Sequence, residues 1–178
     1  MVCRPNPALM YIRDATEVDL PAIVEIYNSA VPSRIATADL EPVSVESRIA
    51  WYQEHKPNSH PLWVMDCHER SNSTGQIAGW LSFQAFLVRP AYHATAELSV
   101  YVSPDFRRQG IGQQLLQRAI KQSPKLGLNT LVALIFAHNQ PSLHLFQKYG
   151  FQRWGYLPQI ADMGHIERDL VIMGRRVG

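Results

Sequence analysis

The stretch Glu97-Leu-Ser-Val-Tyr-Val102-Ser-Pro-Asp-Phe-Arg107-Arg-Gln-Gly110-Ile-Gly112 decides how this chain is read. Glu97, Ser99 and Tyr101 alternate with Leu98, Val100 and Val102, the period of a strand with one polar and one apolar face. After Gly112 the apolar residues Leu115, Leu116, Ala119 and Ile120 recur at helical spacing. A strand that passes through a glycine turn into a helix offers an anion the unpaired N–H groups and the positive dipole end of the first helical turn. Arg107 and Arg108 add positive charge there, so the run Arg107, Arg108, Gln109, Gly110, Ile111, Gly112 reads as a phosphate site. The turn lacks the third glycine of the dinucleotide fingerprint and the Gly-Lys-Ser/Thr of a triphosphate loop.

Upstream, Tyr11 to Ala15 reads as a short strand. Thr16-x-x-Asp19 resembles a capping box ahead of Leu20, Ile23, Val24 and Tyr27, in a helix expected to end near Ala30. Pro32 to Pro42 has neither period and reads as a loop. Ser44 then caps a second helix with Val45, Ile49 and Tyr52 on one face, and this loop and helix are the expected substrate cover. Leu62 to Cys67 and Gln76 to Phe83 form a hairpin around the polar segment Glu69 to Gly75, and Ala94 to Val102 is the next strand. Downstream, Leu131 to Phe136 is a continuous apolar strand. Asn139 and Pro141 open a helix that closes at Gly150, and Phe151 to Tyr156 and Arg168 to Met173 are two last strands. The order is β-α-α-β-β-β-α-β-α-β-β.

A chain of 178 residues with 46% hydrophobic content supports one buried core, so a single domain over 10–178 is expected, preceded by a loose extension over 1–9. Seventeen basic residues against fifteen acidic leave a formal charge of +2, too balanced for a nucleic-acid protein that relies on a broad basic face. The apolar runs fall short of the ~18 residues of a membrane span, and residues 1–9 lack the apolar centre of a signal peptide. Cys3 and Cys67 are the only cysteines, which fits a soluble protein of a reducing, cytoplasmic compartment. The seven histidines show neither zinc-site spacing nor accompanying cysteines, so no metal is expected.

Arg107-x-x-Gly110-x-Gly112 after a carboxylate-bearing strand, in this order of elements, resembles the GCN5-related N-acetyltransferases (GNAT) over nearly the whole chain from Met10. The segment Arg89-x-Ala91-Tyr92-x-x-Thr95-x-Glu97-x-Ser99-x-Tyr101-Val102 is similar to the phosphinothricin and methionine sulfone acetyltransferase branch. The resemblance implies an α/β (α+β) fold whose central, mostly antiparallel mixed sheet is splayed between its fourth and fifth strands, with helices on both faces. It implies acetyl-CoA as acetyl donor, held by residues 107–112 and by the strand at Val100 and Val102, a small amine as substrate, and a homodimer. Asn139 with Ser142 resembles the family's Asn-x-x-Ser/Ala, which contacts the pantetheine arm; asparagine there is also a good helix cap.

In this reading Glu97 is the general base. An amine arrives mostly as ammonium, which has no lone pair, and a dry site that raises the carboxylate's pKa from ~4.3 improves it as proton acceptor. The N–H of Val100 is the candidate oxyanion donor. Arg89 and Tyr92 are the candidate substrate contacts, Arg89 for a carboxylate and Tyr92 for the side chain. Many family members place a tyrosine seven residues after the asparagine to protonate the leaving thiolate. This chain has Phe146 there, which leaves that role open. Protein N-termini, polyamines and other amines stay open as substrates, and so does a non-catalytic acyl-CoA sensor.

Overall fold

A mixed sheet of seven strands separates two apolar cores. The computed structural model describes residues 10–67 and 75–178, so the expected extension over 1–9 and most of the turn over 69–75 lie outside the described residues. In chain order the elements are β1 (Met10–Asp14), α1 (Leu20–Asn28), α2 (Val45–Glu54), β2 (Leu62–Cys67), β3 (Gln76–Ala85), β4 (Thr95–Val102), α3 (Ile111–Gln122), β5 (Thr130–Phe136), α4 (Gln140–Lys148), β6 (Gln152–Asp162) and β7 (Glu167–Arg176). This is the expected order, and the spatial order is β1-β2-β3-β4-β5-β7-β6.

Helices cover both faces because each carries one apolar stripe. Leu115, Leu116 and Ala119 of α3 and Phe146 of α4 pack with Met65, Leu81, Phe83, Leu98, Leu131 and Met173 of the sheet. On the opposite face Ile23 and Ile26 of α1 meet Leu62, Val64, Ile77 and Trp80. Helix α2 buries no residue fully and rides on the rim of that second core.

All neighbouring strands are antiparallel except β4 and β5. These two run parallel through three rungs only, Thr95 with Thr130, Ala96 with Leu131 and Glu97 with Val132. Beyond Glu97 they part, so β4 from Leu98 onward stays bonded to β3 and β5 from Ala133 onward to β7. The expected splay is present.

Two boundaries move. The first helix stops at Asn28, and residues Val31–Ser33 form a separate 3-10 turn around Pro32. The strand expected over Phe151 to Tyr156 runs on to Asp162 through two register shifts and Pro158. Strand β6 is the sheet edge, where a proline without an N–H costs no ladder bond on the open side.

Candidate active site

The polar face of β4 meets its counterpart on β3 in three successive rungs: Trp80 opposite Tyr101, Ser82 opposite Ser99, and Gln84 opposite Glu97. Above this ladder, under α1 and α2, lies a cavity of about 150 Å³ walled by Tyr27, Arg48, Trp51, Trp80 and Tyr101. Trp80 stacks on Tyr101 with ring centres 4.7 Å apart and donates its indole N–H to the Ile23 carbonyl at 3.1 Å. Arg48 pairs with Asp39 at 3.1 Å and lies over the Tyr27 ring at 4.9 Å. Helix α2 is expected as substrate cover, with Val45, Ile49 and Tyr52 on one face; Tyr52 packs on the second core, while Arg48 and Trp51, which that face does not include, line the cavity. A tryptophan on a helix without a strong apolar stripe was the available signal.

The fork between β4 and β5 opens a second cavity of about 260 Å³, lined by Glu97 to Tyr101, Ala133 to Phe136, Asn139, Ser142, Phe146 and Leu170. The two cavities meet at Ser99 and Tyr101. Glu97 stands at the last paired rung, half-buried, and burial pushes its carboxyl above the ordinary glutamate range. Val100 lies on the unpaired stretch of β4, as a strand donor to this cleft must. Asn139 is buried and caps α4, its Oδ1 accepting the Ser142 N–H at 3.2 Å. Phe146 is buried edge-on to Phe151, with ring centres 4.9 Å apart, and presents no proton donor to the cleft. The expected covering loop is latched across the opening: Tyr101 donates its hydroxyl to the Ala36 carbonyl at 2.9 Å, Tyr27 to Asp39 Oδ2 at 2.6 Å, and His138 Nε2 lies 3.0 Å from the Arg34 carbonyl.

At the phosphate turn, Gly110 has φ of 78° and forms the N-cap of α3, where no side chain bonds the helix N-terminus. A left-handed residue here favours glycine. The first N–H groups of α3 therefore face outward beside the exposed Arg107 and Arg108, as anion binding requires. Gln109 donates to the Asp105 carbonyl at 3.2 Å. The Ile111 side chain is buried in the core, which leaves only its backbone to serve a ligand. Gly112 also has a packing basis: a Cβ there would lie 3.3 Å from the Leu145 side chain of α4, close enough that Leu145 would have to give, and at an ordinary 3.7 Å from Val102. Val102 packs against the core beneath it.

Arg89 and Tyr92 sit in the β3–β4 connection, exposed and outside the lining of both cavities, with Tyr92 edge-on to Phe86. That connection leaves the sheet at the Glu97 end of the ladder. Among the described residues no group of three or more His, Cys, Asp or Glu is placed to hold a metal ion, and no helix is long and apolar enough to cross a membrane.

Relatives share this layout. The acetyltransferase (GNAT) family model matches residues 20–151. A Bacillus subtilis protein provisionally named phosphinothricin acetyltransferase is 46% identical over 168 residues, 94% of this chain and 99% of the relative. The L-methionine sulfoximine/L-methionine sulfone acetyltransferase of Pseudomonas aeruginosa is 35% identical over 162 residues, 91% of each chain. A phosphinothricin acetyltransferase from Sinorhizobium meliloti, solved in complex with acetyl-CoA, superposes with a TM-score of 0.85 at 28% identity, over 96% of this chain and 89% of that one. With the family model spanning both the forked strands and the turn into α3, the chain belongs to the acetyltransferase (GNAT) family.

Proposed function

We propose that the protein transfers the acetyl group of acetyl-CoA to the α-amino group of a small amino-acid-like substrate of the phosphinothricin, methionine sulfoximine or methionine sulfone type. The observation that carries this reading is the position of Glu97, a carboxylate raised in pKa that lines the cleft for the donor two residues from Ser99, where that cleft meets the aromatic-walled cavity for the acceptor. The residues present fit acetyl-CoA: an uncapped helix N-terminus beside two free-standing arginines for the pyrophosphate, and a forked sheet with Asn139 and Ser142 at its mouth for the pantetheine arm. Bound acetyl-CoA supplies a thioester carbonyl.

Glu97 takes the proton that an arriving ammonium must lose, directly or through water. The Val100 N–H, on the unpaired edge of β4, donates to the carbonyl oxygen as negative charge develops there. Phe146 gives the departing thiolate nothing. A thiol of ordinary pKa, ~8.5, leaves tolerably with water as the proton source. Arg89, at the Glu97 end of the ladder, pairs with the substrate carboxylate, and Tyr92 covers the bound amino acid. A supply of acetyl-CoA puts the activity in the cytoplasm, and two copies associate through the β5-β7-β6 part of the sheet, where Leu134, Trp154 and Leu157 are exposed.

A thiol-release assay with acetyl-CoA tests the proposal against L-methionine sulfone, L-methionine sulfoximine and phosphinothricin, their amides, polyamines and peptides. Turnover of the free amino acids is expected, with the amides slower by tenfold or more for want of a carboxylate. Preference for a polyamine or a peptide N-terminus would replace the substrate class. Acetyl-CoA binding without turnover of any amine would make the protein a sensor.

A further inference from the structure

Ser82 is 1% exposed, lines the aromatic-walled cavity, and its hydroxyl has no hydrogen-bond partner in the protein. Buried hydroxyls are nearly always satisfied, so an orphan facing a cavity points to a partner that comes from outside the chain. Its place in the ladder says what that partner is. The rungs of an antiparallel pair on one face are about 7 Å apart. Counting from the base at Glu97, the serine rung lies one step in and the Trp80–Tyr101 rung two steps in.

We infer that the Ser82–Ser99 rung is a subsite for an oxygen carried on the δ atom of the acceptor's side chain, and that Ser82 determines specificity by donating a hydrogen bond to it. The inference rests on the amino-acid acetyltransferase reading above and adds what the side chain must carry. Between an α-nitrogen and an oxygen on the δ atom lie five single bonds, which span roughly 6 Å when extended. With the nitrogen at Glu97, such an oxygen falls beside Ser82. A sulfone, a sulfoximine and a phosphinate all present a tetrahedral oxo centre there, and the terminal methyl then points to the Trp80–Tyr101 stack. A thioether of the same length brings sulfur without oxygen and leaves the buried hydroxyl unmatched, which is how a site discriminates between side chains of similar size.

The test is the ratio of kcat/KM for L-methionine sulfone to that for L-methionine, two substrates that differ only in the two oxygens. The unmodified protein is expected to favour the sulfone by tenfold or more. Ser82→Ala should cut the ratio by about tenfold or more, and Ser82→Cys, which keeps the volume with a weaker donor, should lie between. Calorimetric titration with acetyl-CoA identifies folded variants. A ratio near one in the unmodified protein, or a ratio that both folded variants retain, overturns the subsite while leaving acetylation of amino acids standing. Turnover of neither amino acid alongside turnover of another amine removes the parent reading and the subsite with it.

Discussion

Glu97 is charged at a cost, because burial favours its protonated form. A base must be ionised to work, so kcat/KM falls as pH drops through the raised value, and the acid limb lies above the ~4.3 of an exposed glutamate. Stability runs the other way: a raised folded pKa contributes stability below the unfolded pKa, lost as pH rises through the folded one. Glu97→Gln is therefore expected to lower kcat by roughly 10² to 10⁴ at neutral pH, to keep acetyl-CoA affinity and not to lower Tm. Rate profiles across pH check it, with activity recovering toward the pKa of the substrate amine, and wild-type turnover at pH 7 would reduce Glu97 to a solvated carboxylate. Gly112→Val presses on Leu145 and Val102, so it is expected to cost about 1–3 kcal/mol of stability besides weakening acetyl-CoA binding. A melt followed by circular dichroism decides, because an unchanged Tm would leave ligand approach as the one reason for the glycine.

At the scale of elements, β1, β2 and the start of α1 are joined by one guanidinium. Arg13 donates to Asp66 at 2.7 Å and to the two oxygens of Asp19 at 2.7 and 2.8 Å. Asp19 also accepts from the Thr16 N–H at 2.7 Å, the reciprocal half of the capping pattern read in the sequence. Burial raises the Asp19 pKa, but Arg13 and Thr16 outweigh it and the net direction is down. Its stability is thus present above the unfolded value, ~3.9, and lost as pH falls through the folded one. Asp19→Asn should cost about 2 kcal/mol at pH 7, shrinking in acid, as denaturant unfolding at several pH values will show. A pH-independent cost would assign the loss to shape. Such elements were legible because their signals are local: Thr16 to Asp19, the alternation on β4, the turn into α3 and the cap at Asn139 each fit within a dozen residues. The acceptor cavity draws Tyr27, Arg48, Trp51, Ser82 and Tyr101 from four elements, and no window of sequence contains it. Ser82 in particular reads as one polar residue in an apolar strand, and only its partner across the sheet gives it meaning.

Over the whole molecule, α1 and α2 cover only half of their face of the sheet. On the other half Leu134, Trp154 and Leu157 are 40%, 47% and 37% exposed, beside Leu170 and Ile172. The main contacts of α1 with the sheet fall instead on β3 and β4. Patches of this kind on soluble proteins mark interaction sites. The register shifts and Pro158 of β6 discourage edge-to-edge strand pairing, so a partner would meet the patch face-on. A second copy related by a two-fold axis would set like against like and wall the cleft at Leu134 and Leu170, which line it. Trp154→Glu should then convert a dimer to a monomer in sedimentation velocity, with acetyl-CoA turnover reduced; a wild-type monomer at tens of micromolar would remove the second copy.

The tryptophans are distributed so that the protein reports on itself by fluorescence. Trp51 and Trp80 wall the acceptor cavity, Trp154 stands on the bare half of the sheet, and Trp63 lies in the opposite core against Phe83. A substrate that fills the cavity changes the polarity around the first two, while association dehydrates the third and leaves Trp63 as a constant background. Emission from single-tryptophan variants would therefore separate occupancy from assembly in one cuvette, without a label and before any acetyl group moves.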